Sequence, residues 1–421
     1  MTDHNDAGSP RVDHDSAGSI VGSAVKGNDI DEHAGRPPLF LIFAITVTGI
    51  LGNTLVIAPL PDILREFDRP TSHAGWLTAA ATLPGVFIAP IIGLLADRYG
   101  RRMVLTPCLA IFGITGLLGA LAPTFELLLL SRLGQGVGSA ALINLAVVLI
   151  GDHWSGVERT RLLGLNSAVL TGSITVLPAV GGLLTEWGGS WRWSFVPYGL
   201  ALLTAGLVWV VLTGGDTKPT QTVGEQVRAA VRVLKMPPVA LSIGIGFVVF
   251  ALIFGLFLTV MPILLDKDFL LPPAQRGLWL SVPAIGSTAA ALLLGITRKR
   301  LGSRWLLAGG LACMAGGFAT IGLAGVLPML AVGSLLYGLG EGSTIPTLQD
   351  IVSGVAPAES RGAVIACWVS FARGGQTLGP LACSAALGVT TPSAVFLGGF
   401  VLAIVVLAFQ IGVGRHLDVE A

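Results

Sequence analysis

Twelve apolar stretches, each about 20 residues long, follow one another between residues 39 and 411. A helix of about 20 apolar residues is long enough to cross the hydrocarbon core of a bilayer. The predicted spans are 39–60, 75–95, 103–122, 126–151, 162–183, 194–213, 239–263, 277–296, 305–325, 328–350, 362–386 and 391–411. Charged residues make up only 12% of the chain, whereas soluble domains usually contain about 25%. The sequence therefore predicts an all-α polytopic membrane protein with twelve transmembrane helices, surrounded by membrane lipids.

Basic residues are distributed unevenly between the predicted loops. If the N-terminus is placed in the cytoplasm, 18 of the 25 Lys and Arg residues fall on the inner side and 5 on the outer side. Cytoplasmic loops carry the excess of positive charge in most membrane proteins, so both termini are expected in the cytoplasm. We expect a multi-pass protein of the plasma (inner) membrane. Residues 1–36 predict a disordered cytoplasmic tail, and residues 412–421 predict a second, shorter tail.

The longest internal loop, 214–238, divides the twelve spans into two sets of six. The expected domains are a six-helix bundle at 38–213 and a second one at 239–411. Within the loop, valines fall on one face of a hypothetical helix and basic residues on the others. This pattern indicates either an amphipathic helix on the cytoplasmic membrane surface or a flexible tether.

The two halves repeat several motifs. GLLADRYGRR at 93–102, after the second span, is followed by GITRKRLGSR at 295–304, after the eighth. LGQG at 133–136 has its counterpart in LGEG at 339–342, and a proline in the fifth span recurs in the eleventh. Repeats of this kind are found in secondary transporters, which bind their substrate between the halves near the midplane. The repeat predicts two pseudo-symmetric six-helix bundles.

Several function classes are poor matches to this composition. A net charge of +1 gives no electrostatic footprint for binding nucleic acid. The sequence contains no GxxxxGK nucleotide loop and no evident set of nucleophile, base and metal ligands. Its cysteines lie inside apolar runs, without CxxC spacing: Cys108, Cys313, Cys367 and Cys383. We therefore expect neither an enzyme nor a metal site, and no cofactor.

Three charged side chains, Arg132, Glu341 and Arg373, are predicted inside the membrane. Of the 24 acidic residues, only Glu341 falls near the middle of a span, and none of the 6 histidines lies in one. Charged residues at this depth usually face a cavity and mark the path of ions or protons. Glu341 is therefore the main candidate for carrying protons. Arg373 lies at a similar depth on the next span, so a structural ion pair between the two is the alternative.

A polar face is predicted on the fourth span, where Gln135 and Ser139 follow Arg132 at helical spacing. Two interpretations are possible: this face takes part in coupling transport to protons, or Arg132 anchors its helix to the first span near Asn53. Both interpretations are open at the level of sequence. The residues expected to line a cavity are Asn53, Gln135, Ser139, Asn166, Phe250, Phe254, Tyr337, Thr344 and Gln376. The phenylalanines belong to a stripe on the seventh span that either packs against neighbouring helices or faces an apolar substrate.

The loop after the second span predicts a cytoplasmic gate. Its candidate residues are Gly93, Asp97, Arg98, Gly100, Arg101 and Arg102. Asp97 ends the span, where it can meet the positive N-terminal end of another helix. The arginines can add charge-assisted hydrogen bonds that hold the cytoplasmic side closed. The alternative is that they only fix the topology.

These motifs resemble the major facilitator superfamily over about residues 38–411. The segment 93–102 matches the loop signature of that family between its second and third helices in every defining position. The segment 132–140, RLGQGVGSA, is similar to the helix-four signature of proton-driven members. The segment 191–195, WRWSF, resembles the same region of twelve-helix drug:proton antiporters.

The helix-five antiporter signature of that family, Gly-x-x-x-Gly-Pro-x-x-Gly-Gly, is present only in part. Ser173 and Leu177 stand where the family has glycine, whereas the eleventh span contains Gly375-x-x-x-Gly379-Pro380. The resemblance implies helix-bending roles for Pro178, Gly181, Gly182, Gly379 and Pro380.

The resemblance also implies a function. Members of this family are secondary active transporters with a central cavity that works by alternating access. The expectation is a monomer that exports a small organic molecule in exchange for protons, as multidrug resistance proteins do. One alternative is uptake or facilitated transport of a metabolite, and two arginines against one glutamate would suit an anionic one. A second alternative is a non-transporting receptor or assembly factor.

Overall fold

The structure of the protein is a computed structural model that describes residues 36–212, 228, 236–355 and 361–413. The predicted tails at 1–36 and 412–421 and the linker at 214–238 fall almost entirely outside these residues. The chain from Pro38 onward forms one compact unit. The boundaries proposed for the two bundles stay predictions.

Helices occur at all twelve predicted spans. In the N-terminal half they are α1 (Leu39–Ile57), α2 (Leu60–Glu66), α3 (Ala74–Tyr99), α4 (Arg101–Ala120), α5 (Phe125–Ser139), α6 (Leu142–His153), α7 (Gly156–Trp187) and α8 (Leu200–Val211). In the C-terminal half they are α9 (Pro237–Leu252), α10 (Met261–Lys267), α11 (Pro273–Ser281), α12 (Pro283–Gly322), α13 (Leu327–Val355), α14 (Arg361–Leu387) and α15 (Pro392–Val413). A π-helical segment, Ile253–Val260, joins α9 to α10.

Several spans consist of more than one helix. α5 with α6 forms the fourth span, α9 with α10 the seventh, and α11 with the first part of α12 the eighth. Nine helical segments among the described residues are long and apolar enough to cross a membrane, and a bent pair within the second span adds a tenth. α13 and α14 occupy the positions of the other two. The prediction of an all-α polytopic protein is confirmed.

Two glycines at equivalent positions of the repeat turn the chain. Gly100 connects α3 to α4 with φ 88°, and Gly302 breaks α12 between the eighth and ninth spans with φ 71°. This left-handed backbone carries a steric penalty for residues with a Cβ atom. The repeated sequence motif therefore encodes the same one-residue turn in both halves.

The core consists of two hydrophobic clusters. One lies in the N-terminal half and includes Leu105 and Leu145. The larger one includes Leu55, Val260 and Phe318, so it extends from the N-terminal half into the C-terminal half. Helices in lipid gain stability from close packing rather than from leaving water, and a continuous core therefore holds the two halves together.

The two halves pack closely near the predicted outer side. There the backbone N–H of Gly75 on α3 donates to the Ser384 hydroxyl of α14 at 2.5 Å. A second contact between the halves lies toward the same predicted outer side. There the Ser281 hydroxyl of α11 donates to the Thr175 carbonyl of α7. Two pairs of helices, α3 with α14 and α7 with α11, therefore join the halves at this end.

Packing is much looser toward the predicted cytoplasmic side. A Cβ added at Gly164 of α7 or at Gly295 of α12 would have no neighbouring atom within 4 Å. Leu165, Leu292 and Ile296, on the same two helices, are exposed. The helices that join the halves at one end are thus unpacked at the other.

Candidate functional site

Arg132 of α5 is held by four neutral acceptors. It is 1% exposed. Its guanidinium donates to Gln135 Oε1 at 2.6 Å, to Asn53 Oδ1 at 3.0 Å, and to the Leu77 carbonyl and the Tyr198 hydroxyl at 3.4 Å. Within the described part of the chain, no carboxylate forms an ion pair with it. The contacts to Asn53 and to the backbone of α3 agree with an anchoring role as well as with a role in coupling.

A cavity of about 10 Å³ adjoins this cluster. That volume is close to what one water molecule needs. Asn53, Thr78 and Arg132 supply the polar part of its lining, and Leu258 of the π-helical segment contributes from the C-terminal half. The Arg132 cluster therefore borders the contact between the two halves.

Glu341 of α13 is partly exposed. Tyr337, one turn earlier, lies close to its carboxylate, and the tyrosine ring stacks on Phe257 with centroids 4.6 Å apart. Glu341 has no cationic partner among the residues that the structure describes. Thr344, on the same helix face, is fully buried. Glu341 is therefore a carboxylate without a compensating cation in the described part of the chain, on a residue that is partly exposed.

The predicted ion pair between Glu341 and Arg373 is not formed. Arg373 Nη1 donates instead to Gln376 Oε1 at 3.3 Å. The side chain of Arg373 extends beside Gly85 of α3, where an added Cβ would lie 3.3 Å from its Cδ atom. Similar depth on consecutive helices is not enough for an ion pair, because the two side chains leave their helices in different directions. Arg373 points to α3, whereas Tyr337 next to Glu341 packs on the seventh span.

The residues predicted to line a cavity fall into two groups. The partly exposed ones are Asn53, Phe250, Phe254 and Gln376. The buried ones are Gln135, Ser139, Asn166, Tyr337 and Thr344. In this conformation neighbouring helices cover the side chains of the second group, and their role in lining a cavity stays a prediction. Asn166, for example, accepts a hydrogen bond from Thr46 of α1 at 2.7 Å.

In this conformation, the predicted gate forms its ion pairs inside the N-terminal half. Arg101, at the start of α4, donates from Nη1 to Asp97 at 2.5 Å and from Nε to Asp152 at 3.2 Å. The guanidinium of Arg102 lies over the Trp209 ring at 4.0 Å. Asp97 thus contacts the side chain of the first residue of α4, and its predicted interaction with the positive end of a helix stays a prediction. Of the remaining gate candidates, Gly93 and Arg98 lie in the last part of α3 and Gly100 connects α3 to α4. The gating role stays a prediction.

The predicted helix-bending residues lie at contacts between helices. Gly181 lies against the Leu55 carbonyl of α1, and Gly182 against the backbone of Pro273. Across the repeat, Gly379 lies against the backbone of Ala251. The carbonyls of Pro178 and Pro380 face Gly277 and Gly75 in the same way. Small residues allow helix backbones to approach closely, so these positions serve packing, and bending stays a prediction.

An ion-pair cluster near the predicted outer side was not predicted from the sequence. Arg276 of α11, which is 0% exposed, pairs with Asp62 of α2 and, at 3.0 Å, with Asp266 of α10. Arg65 also pairs with Asp62 and, at 2.9 Å, with Asp266. Partial burial acts to lower the pKa of Arg65, but hydrogen bonds and charges from the two aspartates raise it overall. The outer cluster (Asp62, Arg65, Asp266 and Arg276) therefore links the two halves with balanced charge.

The π-helical segment in the seventh span was also not predicted. It contains Phe254 and Phe257, and the Thr259 hydroxyl donates to the Phe254 carbonyl at 2.9 Å. Segments of this type frequently occur at functional sites. The sequence contains no proline or glycine pattern specific to a π-helix, and the phenylalanine stripe follows ordinary α-helical spacing.

A metal site has no support in the described ranges, 36–212, 228, 236–355 and 361–413. They contain no group of three or more His, Cys, Asp or Glu side chains that could hold an ion. The expected absence of a cofactor stays a prediction.

Comparison with known proteins gives consistent results. The bacillibactin exporter of Bacillus subtilis (strain 168) is 24% identical over 361 residues, which is 81% of this chain and 88% of the relative. The class G tetracycline resistance protein of Vibrio anguillarum is 29% identical over 374 residues, 83% of this chain and 90% of the relative. A crystal structure of a bacterial homologue of the human lysosomal transporter Spinster has a TM-score of 0.73 at 17% identity, covering 90% of this chain and 96% of that one.

The sequence profile of the Major Facilitator Superfamily matches residues 41–269 and 243–415, so it accounts for nearly all of the chain outside the N-terminal tail. The relatives are transporters and not enzymes, and the fold is shared with a transporter of known structure. The chain is therefore a transporter that belongs to the Major Facilitator Superfamily.

Proposed function

We propose that the protein exports a small organic molecule from the cell in exchange for protons. The observation that carries this proposal is Glu341. It is the one acidic residue of 24 near the middle of a span, it is partly exposed, and it has no cationic partner in the described part of the chain. A carboxylate in this position can take a proton from one side of the membrane and release it to the other.

The conformation described above is the one that opens to the cytoplasm. Support comes from the distribution of Lys and Arg, 18 inside against 5 outside, which favours an orientation with both termini in the cytoplasm. With that orientation, the closely packed contacts of α3 with α14 and of α7 with α11 lie outside. The exposed first part of α7 and the exposed part of α12 just before Gly302 lie inside. The substrate then enters between the halves from the cytoplasm.

The outer cluster stabilises the outward-closed arrangement. Its four side chains come from both halves, and Arg276 is removed from solvent by its neighbours. Removing one member of a buried ion pair lowers the stability of the folded protein by several kcal/mol, because the remaining charge stays buried without a partner. Movement of the two halves apart on this side separates Asp62 from Arg276 and Arg65 from Asp266. Opening to the outside therefore requires these ion pairs to break.

The direction of transport is export. Support comes from the names of two relatives that align with most of this chain, an exporter and a tetracycline resistance protein. The protein operates in the plasma (inner) membrane as a monomer, because a single chain contains both halves of the alternating-access unit. The alternative direction is uptake, and the following experiment distinguishes it from export.

The test is proton movement in proteoliposomes. The purified protein is reconstituted with a trapped pH-sensitive dye, and a panel of organic compounds is added outside. The proposal predicts that any compound the protein moves also moves protons in the opposite direction, and that protein-free vesicles show no such change. Substrate movement with no proton movement would contradict proton coupling. Proton movement in the same direction as the substrate would indicate uptake by symport.

A further inference from the structure

We infer that Arg373 is the anion-binding group of the substrate site, and that the substrate is an organic anion with an apolar body. The inference rests on the proposed transport function in one respect: the molecule that binds between the halves is the transported substrate. The class of cargo is derived below from the position, charge and surroundings of Arg373, independently of proton coupling.

Arg373 faces the contact between the halves and not the lipid. Phe371 and Leu378 form the exposed face of α14. Arg373 lies two residues after Phe371, which places it about 200° around the helix from that face. Its neighbour Thr377 meets Thr82 of α3, with the two hydroxyl oxygens 2.9 Å apart. Arg373 is therefore on the side of α14 that meets the N-terminal half.

The charge of Arg373 is not neutralised. In the described part of the chain, its guanidinium forms one side-chain hydrogen bond, to the neutral Gln376 at 3.3 Å, and no carboxylate pairs with it. The side chain is partly exposed. An arginine at this depth is unfavourable unless it is paired or hydrated. Arg373 is therefore a cation that an incoming anion stabilises.

Arg132, the other arginine inside a span, does not compete for this role. It is 1% exposed and has four acceptors already in place. An anion would have to displace Asn53 or Gln135 to reach its guanidinium. Arg373 keeps N–H groups available, and it lies beside Gly85, which has no side chain to block access.

The shape of the group narrows the class of ligand. A guanidinium is a planar fork that matches the two oxygens of a carboxylate. Phe250 and Phe254, on the neighbouring seventh span, are partly exposed, and the Phe250 ring meets Trp368 of α14 edge-on at 6.1 Å. Aromatic side chains of this kind can pack against an apolar or aromatic body. Arg373 therefore fits a carboxylate better than a cation or a neutral polar molecule, and the apolar body of the ligand is the part of the inference that rests on Phe250 and Phe254.

The test compares matched ligands for binding at equilibrium. The purified full-length protein in detergent is dialysed against benzoate, 2-naphthoate and 9-anthroate, each paired with its primary amide. We expect at least one carboxylate to bind about tenfold more tightly than its own amide, equivalent to about 1.4 kcal/mol. If no carboxylate binds more tightly than its amide, the inference is overturned.

Variants then locate the effect. Arg373→Gln should remove the preference for the carboxylate, and Arg373→Lys should keep part of it, because a point charge replaces only part of the fork. Arg161→Gln, which removes an exposed arginine from the end of α7, is the matched control and should keep the full preference. A preference that survives in Arg373→Gln would overturn the assignment. If that variant does not fold, the wild-type comparison of carboxylate with amide still decides the ligand class.

The binding measurement separates this inference from the proposed function. It uses no membrane and no gradient, so a failure of proton coupling would leave the carboxylate preference intact. Conversely, substrate-driven proton movement without any carboxylate preference would support the exporter and overturn the anion site.

Discussion

A positive charge inside a membrane is tolerated when its N–H groups have acceptors, and Arg132 meets this condition within its own half. Three of its acceptors are the side chains of Asn53, Gln135 and Tyr198, and the fourth is the Leu77 carbonyl. These contacts tie α5 to α1 and α3. The residue therefore holds three helices together beside the border between the halves.

We predict that Arg132→Ala abolishes transport and lowers the free energy of unfolding by about 1–3 kcal/mol, because buried acceptors lose their donor. Arg132→Lys should rescue transport poorly, since a single ammonium group cannot reach acceptors on three helices. Transport assays and melting temperatures of the two variants check this. Full activity in the Lys variant would mean that charge alone is required, and full activity in the Ala variant would reduce Arg132 to a dispensable contact.

At the residue scale, the sequence indicates which side chains matter better than which ones touch. Glu341 stands out because a carboxylate in the middle of a span is rare and costly. Its pairing with Arg373 was the alternative that equal depth suggested, and this pair is not formed in the conformation described here. Depth follows from the number of residues along a helix, whereas the direction of a side chain depends on how the helix is rotated by its neighbours.

At the element scale, the outer cluster connects α2 to α10 and α11. We predict that Arg276→Gln weakens the outward-closed arrangement. In a cysteine-free background, a cysteine at Ser384, at the contact between α3 and α14, should react about tenfold more with a membrane-impermeant maleimide, equivalent to about 1.4 kcal/mol. The physical reason is that Arg276 alone bridges both aspartates from α11.

Arg192→Gln provides the matched control for this experiment. Arg192 also pairs with an acidic residue near the predicted outer side, but its partner, Glu66, belongs to the same half. Labelling at position 384 should therefore stay at the level of the parent protein. Equal labelling in both variants would refute the view that the outer cluster holds the halves together.

The loop between α3 and α4, the predicted cytoplasmic gate, is the second element whose role can be tested. We predict that Asp97→Asn slows transport while the melting temperature changes little, because its pair with Arg101 lies at the partly solvated end of the helices. Cysteines placed in the cytoplasmic halves of the spans should become more reactive. Asp350→Asn, which breaks the pair with Arg298 in the other half, is the control. Unchanged labelling together with normal transport would make the loop a topology determinant only.

The sequence predicts the turns between helices, but it does not predict the ion pairs between distant helices, and the reason is physical. The turns at Gly100 and Gly302 follow from a local motif, and the structure has them at equivalent positions. Asp62 and Arg276 are more than 200 residues apart in the chain. Nothing local marks them as partners, because their contact depends on the packing of two distant helices.

At the scale of the whole molecule, hydropathy alone predicts the twelve spans. The reason is that a bilayer requires backbone hydrogen bonds to be satisfied inside each segment, which makes apolar length a direct measure of a spanning helix. The conformational state of the protein, in contrast, cannot be predicted from hydropathy. The same sequence must support packing at the outer side and at the inner side, so its pattern cannot indicate which of the two is formed.

The open arrangement gives Glu341 a defined place in the cycle. The residue is partly exposed while the helices at the predicted outer side are in contact. In the proposed cycle, a proton reaches the carboxylate from outside when the halves rearrange and leaves toward the cytoplasm in the conformation described here. Because Glu341 and Arg373 do not pair, replacing the carboxylate should leave no new unpaired cation, and the melting temperature should stay close to that of the wild type.

Exchange of substrate by the Glu341→Gln variant, measured in proteoliposomes over a range of pH, tests the central claim most directly. The variant mimics the protonated carboxylate, so labelled substrate should still exchange across a membrane without a proton gradient, at a rate that no longer depends on pH. Substrate-driven proton movement should be lost. The wild-type protein, measured in parallel, should show both pH dependence and proton movement. Fully pH-dependent antiport in the Gln variant would contradict the claim, because the proton would then need another carrier.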